Sequence, residues 1–287
     1  MKTPELIVPD VYSLLENRDS PLTEAEKEKA IEEFGEECKQ FMRDAIGPPQ
    51  DKSGLRLSGI GKPDRKLWQQ YWGIRGEPLS GPTFLKFIYG HLTEAMVLTL
   101  VKLAGHTVTE QQKVCKVEGV KGHQDCRIDG LLVDVKSASS YGFKKFKYNN
   151  LHEDDAFGYI PQIKAYAHEE GDTEYGWLAF DKQNGDLALL KYDETDVNTR
   201  YHAEVNWDVA ERVRTIKKML DGPLPELCFD DVPDGKSGNR KLATGCSYCE
   251  FKDTCWPSLR KFSYSTGPRY LTVVKRDPRA QEIPSEF

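Results

Sequence analysis

The sequence predicts an α/β fold, a mixed central sheet flanked by helices, with a small module appended at the C-terminal end. Three observations lead to it. Long segments with apolar residues at helical spacing are interleaved with short β-prone runs. Asp129-Gly130 and Asn184-Gly185 join pairs of those runs into hairpins. After Pro223 and Pro225 the composition turns to Gly, Asp, Lys and Cys. The order helix, strand, hairpin, helix, hairpin, helix implies a largely antiparallel mixed sheet.

Each element has a local cause. Residues 23–45 read as a helix: Thr23 and Glu26 form a capping-box pair, and Ala30, Ile31, Phe34, Cys38, Phe41 and Met42 recur at helical spacing. Gly47-Pro48-Pro49 ends it. A Gly/Ser/Lys loop over 51–64 leads to a short helix at 65–72, and 82–104 is the next strong helix, stopped by Gly105. Strands are expected at 107–117, 124–128 and 131–136, a helix at 156–170, strands at 175–180 and 187–192, and a helix at 203–220. The expected organisation is an N-terminal helical segment (1–50), a core (51–222) and a cysteine module with a basic tail (223–287). No repeat or low-complexity tract occurs.

Composition narrows the classes. The chain has 287 residues, with 12 Phe, 13 Tyr and 5 Trp, which excludes wholesale disorder. The net charge of −6 excludes a whole-protein basic field for nucleic acid. Two tracts run against that balance. Residues 52–75 carry Lys52, Arg56, Lys62, Arg65, Lys66 and Arg75 against Asp64 alone, and 256–279 carry Arg260, Lys261, Arg269, Lys275, Arg276 and Arg279 against Asp277 alone. Local basic tracts on an acidic body suit a protein that grips a polyanion at one face, and equally two solvated charged segments. No apolar run of the roughly 18–20 residues needed to span a membrane is expected, nor a signal peptide, so the expected location is the cytoplasm. Seven Cys, an odd number without a secretion signal, argue against a disulfide framework.

The chemistry concentrates in the hairpin 122–137. Asp134 and Lys136 are two apart on a strand and share a face. With Asp129-Gly130 as a two-residue turn, Asp125 falls opposite Asp134. Opposed carboxylates beside one Lys point to a function, because like charges placed together need a cation. Hard oxygen ligands suit Mg2+, which activates water toward a phosphodiester. Upstream, Gly90-His91-Leu92-Thr93-Glu94 sets an acid on a helix; downstream, Gln162 and Tyr166 share a helical face four residues apart.

In order, G-x-x-x-E (Gly90, Glu94), G-x-x-D (Gly122, Asp125), D-x-K (Asp134, Lys136) and Q-x-x-x-Y (Gln162, Tyr166) resemble the PD-(D/E)XK nuclease superfamily, most closely its RecB-like exonuclease branch, which includes phage-encoded members. The resemblance covers roughly 55–170 plus the cysteines. It implies a restriction-endonuclease-like core and a metal-dependent DNA exonuclease, phage-type, acting in DNA degradation or recombination. Glu94, Asp125 and Asp134 are then ligands of Mg2+ or Mn2+, with the Val135 carbonyl as a further ligand. Lys136 positions or activates the attacking water, Gln162 and Tyr166 hold the strand near the scissile phosphate, and His91 is a further candidate.

Cys246, Cys249 and Cys255 form C-x2-C-x5-C, which resembles the C-terminal cysteines of iron–sulfur RecB-like nucleases. Cys228 is the expected fourth ligand and Cys38 the reserve. Thiolate tetrads hold either a 4Fe–4S cluster or Zn2+; the likeness favours iron–sulfur, in a structural role. Cys115 and Cys126 read as inert strand residues. For strand binding, Lys144, Lys145 and Lys147 are interleaved with Tyr141, Phe143, Phe146 and Tyr148, and Arg65 and Lys66 extend the channel. DNA is the expected partner, with a helicase, recombinase or single-strand-binding protein beside it. A non-catalytic nucleic-acid-binding module of the same fold, and a metal-stabilised adaptor, are the alternatives.

Overall fold

The computed structural model describes residues 2–48, 54–196 and 207–284. The chain divides into two compact units, Met1–Gly61 with Gly81–Arg214, and Lys62–Ser80 with Thr215–Phe287.

The first unit opens with α1 (Ile7–Asn17) and α2 (Glu24–Ile46). The capping box forms as its residues dictate: Thr23 N donates to Glu26 Oε2 at 2.8 Å and Glu26 N to Thr23 Oγ1 at 3.3 Å. α1 has no counterpart among the sequence expectations, yet Ile7 and Val11 on it are wholly buried. The next helix, α3 (Asp64–Tyr71), belongs to the second unit. α4 (Gly81–Leu103) is long and apolar enough, by length and composition, to cross a membrane, which corrects the expectation of no such run. Its second half is nevertheless a core helix: Val97, Leu98 and Val101 share one hydrophobic cluster with Ile7, Val11, Cys126, Val133 and Leu178.

After α4 come β1 (Val108–Thr109), the separate hairpin of β2 (Val114–Val117) and β3 (Val120–His123), and then β4 (Cys126–Ile128) and β5 (Leu131–Ala138). The single strand expected over 107–117 is broken because Glu110 and Gln112 take left-handed backbone, with φ of 51° and 54°. Asp129 and Gly130 also have positive φ, 51° and 90°, as a two-residue hairpin turn demands. That turn sets the register Ile128 to Leu131, Arg127 to Leu132 and Cys126 to Val133.

α5 (Ser140–Lys147) makes a helix of most of the aromatic-and-lysine stretch, capped by Ser139 Oγ, which accepts from Gly142 N at 3.3 Å. α6 (Tyr159–Glu170), β6 (Glu174–Asp181) and β7 (Leu187–Asp193) follow. The central sheet has the order β1-β4-β5-β6-β7, parallel only between β5 and β6, where the intervening helices supply the crossover. A mixed central sheet flanked by helices is thus the observed fold class. The final helix before the module is Val209–Leu220; positions 203–206 of the expected 203–220 helix, and Lys52, lie outside the described residues.

The second unit has its own sheet: β8 (Val232–Pro233), β9 (Arg240–Lys241), β10 (Arg260–Tyr264), β11 (Gly267–Val273) and β12 (Gln281–Ile283), all antiparallel, in the order β12-β10-β11-β9-β8. Leu242, Phe251, Phe262 and Leu271 are buried in it. Residues 62–80, expected in the core, pack here: the indole N–H of Trp68 donates to Gly222 O, and that of Trp72 to Leu220 O, each at 3.0 Å. Much of the basic tail is internally paired, Arg260 with Glu282 (2.7 Å) and Arg269 with Asp234 (2.9 Å).

Candidate active site

Four chain segments bring the site together in the first unit. β5 carries Asp134 and Lys136 on one face, and Lys136 Nζ stands 2.6 Å from Asp134 Oδ2. Asp125 lies one step beyond the β4–β5 ladder; its Oδ2 accepts from Val135 N at 2.8 Å, continuing that edge with a side chain. α6 supplies Gln162, whose Nε2 donates to Asp134 Oδ1 at 3.3 Å and to the Tyr166 hydroxyl at 3.2 Å. α4 supplies Glu94, whose Oε1 accepts from Gln112 Nε2 at 3.4 Å.

Of the two motif glycines, Gly122 has a steric reason. A Cβ on Gly122 would lie 2.7 Å from both the Leu57 side chain and the Tyr166 ring, so only glycine lets Tyr166 seat against β3. Tyr166 is 2% exposed, and it bears on Asp134 through Gln162 rather than at the surface. At Gly90 a Cβ would meet Ser137 Oγ at 3.7 Å, an ordinary contact that does not demand glycine.

The electrostatics are those of too many acids for one base. Burial, with repulsion from Asp125 and Asp134 behind it, pushes Glu94 up to about 8. Burial likewise raises Asp134, opposed by Lys136 and reinforced by Asp125. For Lys136, burial works against the ammonium, but Asp134 and Asp125 outweigh it and hold the group above the ordinary lysine value. Lys136 is therefore a firmly protonated cation. That favours charge stabilisation and positioning of water over proton abstraction.

Among the described residues, no three His, Cys, Asp or Glu side chains are arranged to hold a metal ion. This departs from the expectation for both ligand sets. At the carboxylates the reason is visible. Asp125 Oδ2 is taken by a backbone N–H, Asp134 Oδ1 by Gln162, and the Lys136 ammonium supplies the countercharge. The donor set still suits a hard divalent ion. Asp134 Oδ2 is buried and receives no well-directed hydrogen bond even with Lys136 beside it. Three carboxyl groups stand against one ammonium, and burial and mutual repulsion hold protons on Glu94 and Asp134 that a divalent ion would displace.

The remaining predicted residues divide between the units. His91 is on α4 with its ring 4.4 Å from that of Phe41 on α2. Lys144 is exposed on α5, Lys145 pairs with Asp154 at 2.6 Å, and Lys147 with Asp186 at 3.5 Å. Arg65 and Lys66 are committed to the cysteine module. Arg65 Nε donates to Cys255 Sγ at 3.2 Å and Nη1 to Pro225 O at 2.6 Å, and Lys66 pairs with Glu250 at 3.0 Å.

Cys228, Cys246, Cys249 and Cys255 are all half-buried and unbridged. Burial first, then the neighbouring Cys228, Cys249 and Cys255, pushes the Cys246 thiol up to about 11, so the four sulfurs are electrostatic neighbours. Backbone groups of Lys66 and Arg65, in the first turn of α3, stabilise the Cys228 thiolate against its burial. That donor set suits a thiolate-bound group. Cys38 lies in the other unit, and Cys115 and Cys126 are buried on β2 and β4.

Two contributors escaped the sequence reading. Gln112 steadies Glu94, and the Tyr159 ring lies 5.0 Å from Lys136 Nζ. Tyr159 is three residues before Gln162, hence on the same side of α6, and that spacing was its one sequence signal.

No protein-family model matches this sequence, and no curated protein does. Several solved structures are similar to it. The crystal structure of SSO0001 superposes with a TM-score of 0.41 at 13% identity, over 78% of this chain and 96% of that one. An alkaline exonuclease, LHK-Exo from Laribacter hongkongensis, gives 0.40 at 12% identity, over 64% and 94%. LHK-Exo in complex with dAMP gives 0.36 at 14%, over 63% and 87%.

Proposed function

We propose that this chain is a metal-dependent DNA nuclease that hydrolyses phosphodiester bonds as an exonuclease. The observation that carries the reading is the placement of Lys136 Nζ 2.6 Å from Asp134 Oδ2, with Asp125 Oδ2 held 2.8 Å from Val135 N of that strand and Glu94 of α4 close enough to feel all three charges. Glu94 and Asp134, raised by burial and by the carboxylates around them, reduce stability unless a cation joins them, so their presence marks a site rather than a packing solution.

Glu94, Asp125 and Asp134 would hold Mg2+ or Mn2+, which supplies charge neutralisation at the phosphate and a more acidic bound water. The Lys136 ammonium offers a fixed positive charge for the phosphate and for the charge that develops on it. Gln162 fixes the Asp134 carboxylate, and Tyr166, locked against Gly122, fixes Gln162. In the second unit, Cys228, Cys246, Cys249 and Cys255 would hold a 4Fe–4S cluster or Zn2+, whose contribution is structural.

The test is a time course on end-labelled single- and double-stranded DNA with Mg2+ or Mn2+. The wild type releases nucleotides from an end, while Lys136→Ala and Asp134→Asn, folded by circular dichroism, release them at least roughly a hundredfold more slowly. Cleavage by Lys136→Ala at the wild-type rate would contradict the reading.

A further inference from the structure

We propose that Phe157 is a positioning residue, a shelf on which one base of single-stranded DNA stacks beside the scissile phosphate. The inference rests on the nuclease reading above and adds a base contact to it.

Three aromatic rings form a graded series. Phe146 is 3% exposed, and its ring lies 6.1 Å from that of Tyr159. Tyr159 in turn is stacked on Phe157, with centroids 5.5 Å apart and planes 27° from parallel. Phe157, the end of the series, is 65% exposed. Its partner ring Tyr159 also lies 5.0 Å from the Lys136 ammonium. The exposed face is thus one ring away from the cation at the centre of the site.

The shelf is built rather than incidental. Asp155 clamps the chain on the far side of Phe157: Oδ1 accepts from Tyr159 N and Oδ2 from Ile160 N, each at 2.8 Å, while Asp155 O accepts from Gly158 N at 3.1 Å. Gly158 has φ of 74°, and a Cβ there would lie 3.1 Å from the Gly61 backbone, so the bend between the two rings is fixed by packing. A flat apolar ring stacked on Tyr159 and open to water, one ring from a fixed cation, suits a partner with a π-face next to a phosphate. A nucleobase in a single strand has both, whereas base pairs inside a duplex present no free face.

The test is a thermodynamic cycle between the ring and the base. Short single-stranded oligonucleotides, intact or with one abasic site moved along the strand, are titrated in buffer with Ca2+ as the sole divalent ion. The proteins are the full-length wild type, Phe157→Ala and Phe157→Trp. The wild type should lose roughly tenfold or more in affinity at one abasic position. Phe157→Ala should show the same loss with intact strands and no further loss at that position, and Phe157→Trp should restore the wild-type pattern. Equal binding by wild type and Phe157→Ala, or equal sensitivity of both to every abasic position, overturns the shelf while leaving the nuclease reading intact. A wild type that binds no single strand overturns the shelf, while the nuclease reading fails separately, if the time course shows no cleavage of double-stranded DNA either.

Discussion

Lys136 Nζ lies 2.6 Å from Asp134 Oδ2, and the two side chains leave one strand two residues apart, with 17% and 2% of their areas exposed. A pair so enclosed stabilises the fold only while both members are present, because either alone is a buried uncompensated charge. Lys136→Ala should therefore lower stability by about 3 kcal/mol in metal-free urea melts. The double variant with Asp134→Asn should be less destabilised than the sum of the singles. Additive losses would mean that the two groups do not act as a pair.

Glu94 contributes to the pH dependence alongside Asp134, which burial also raises. In the folded chain Glu94 is raised to about 8, first by burial and then by Asp125 and Asp134. The unfolded chain loses this proton near the ordinary carboxylate value, so between there and about 8 the folded state binds more protons and stability falls as pH rises. Glu94→Gln should remove the Glu94 share of that fall. Metal-free, it should match the wild type near pH 5 and exceed it near pH 9. Melts at the two values decide; a Glu94→Gln protein weaker than the wild type at the higher value would contradict burial and carboxylate repulsion as the cause.

Asp125 has two duties that substitutions can separate. Its Oδ2 accepts from Val135 N at 2.8 Å, and its charge faces Glu94 and Asp134. Asp125→Asn keeps an acceptor and should melt close to the wild type. Asp125→Ala leaves the Val135 N–H unmatched and should be destabilised by about 1–2 kcal/mol. Both should lose DNA cleavage. Activity retained by Asp125→Asn would remove this carboxylate from the ion site.

The cysteine module makes a compositional prediction. Elemental analysis of protein expressed with iron and zinc should find metal in the wild type and in Cys38→Ser, and lose it in Cys228→Ser and Cys246→Ser. A brown wild-type sample absorbing in the blue identifies iron–sulfur, and a colourless zinc-loaded sample identifies zinc. Loss of metal in Cys38→Ser with retention in Cys228→Ser would reverse the choice of fourth ligand.

Local patterns made much of this fold legible. Thr23 and Glu26 announced the start of α2, and the Asp129-Gly130 turn fixed the register that carries Asp125 toward Asp134, since a two-residue loop allows one pairing. What escaped depended on tertiary packing. Arg65 and Lys66 read as a basic channel because charge is visible in a sequence, while their partners Cys255 and Glu250 lie far along the chain. The sheet of the second unit was hidden because its strands are short and interrupted by turns, as at Gly267 with φ of 113°. The backbone turns at Glu110 and Gln112 gave no warning, since neither residue type favours positive φ.

The most direct test of the shared-cation claim is a Mn2+ binding isotherm on the wild type against Glu94→Gln, Asp125→Asn and Asp134→Asn. The wild type should bind one ion that each variant weakens by more than roughly a hundredfold, beyond the loss that an outer-shell change brings. An isotherm unchanged by all three substitutions would show that these acids do not share an ion.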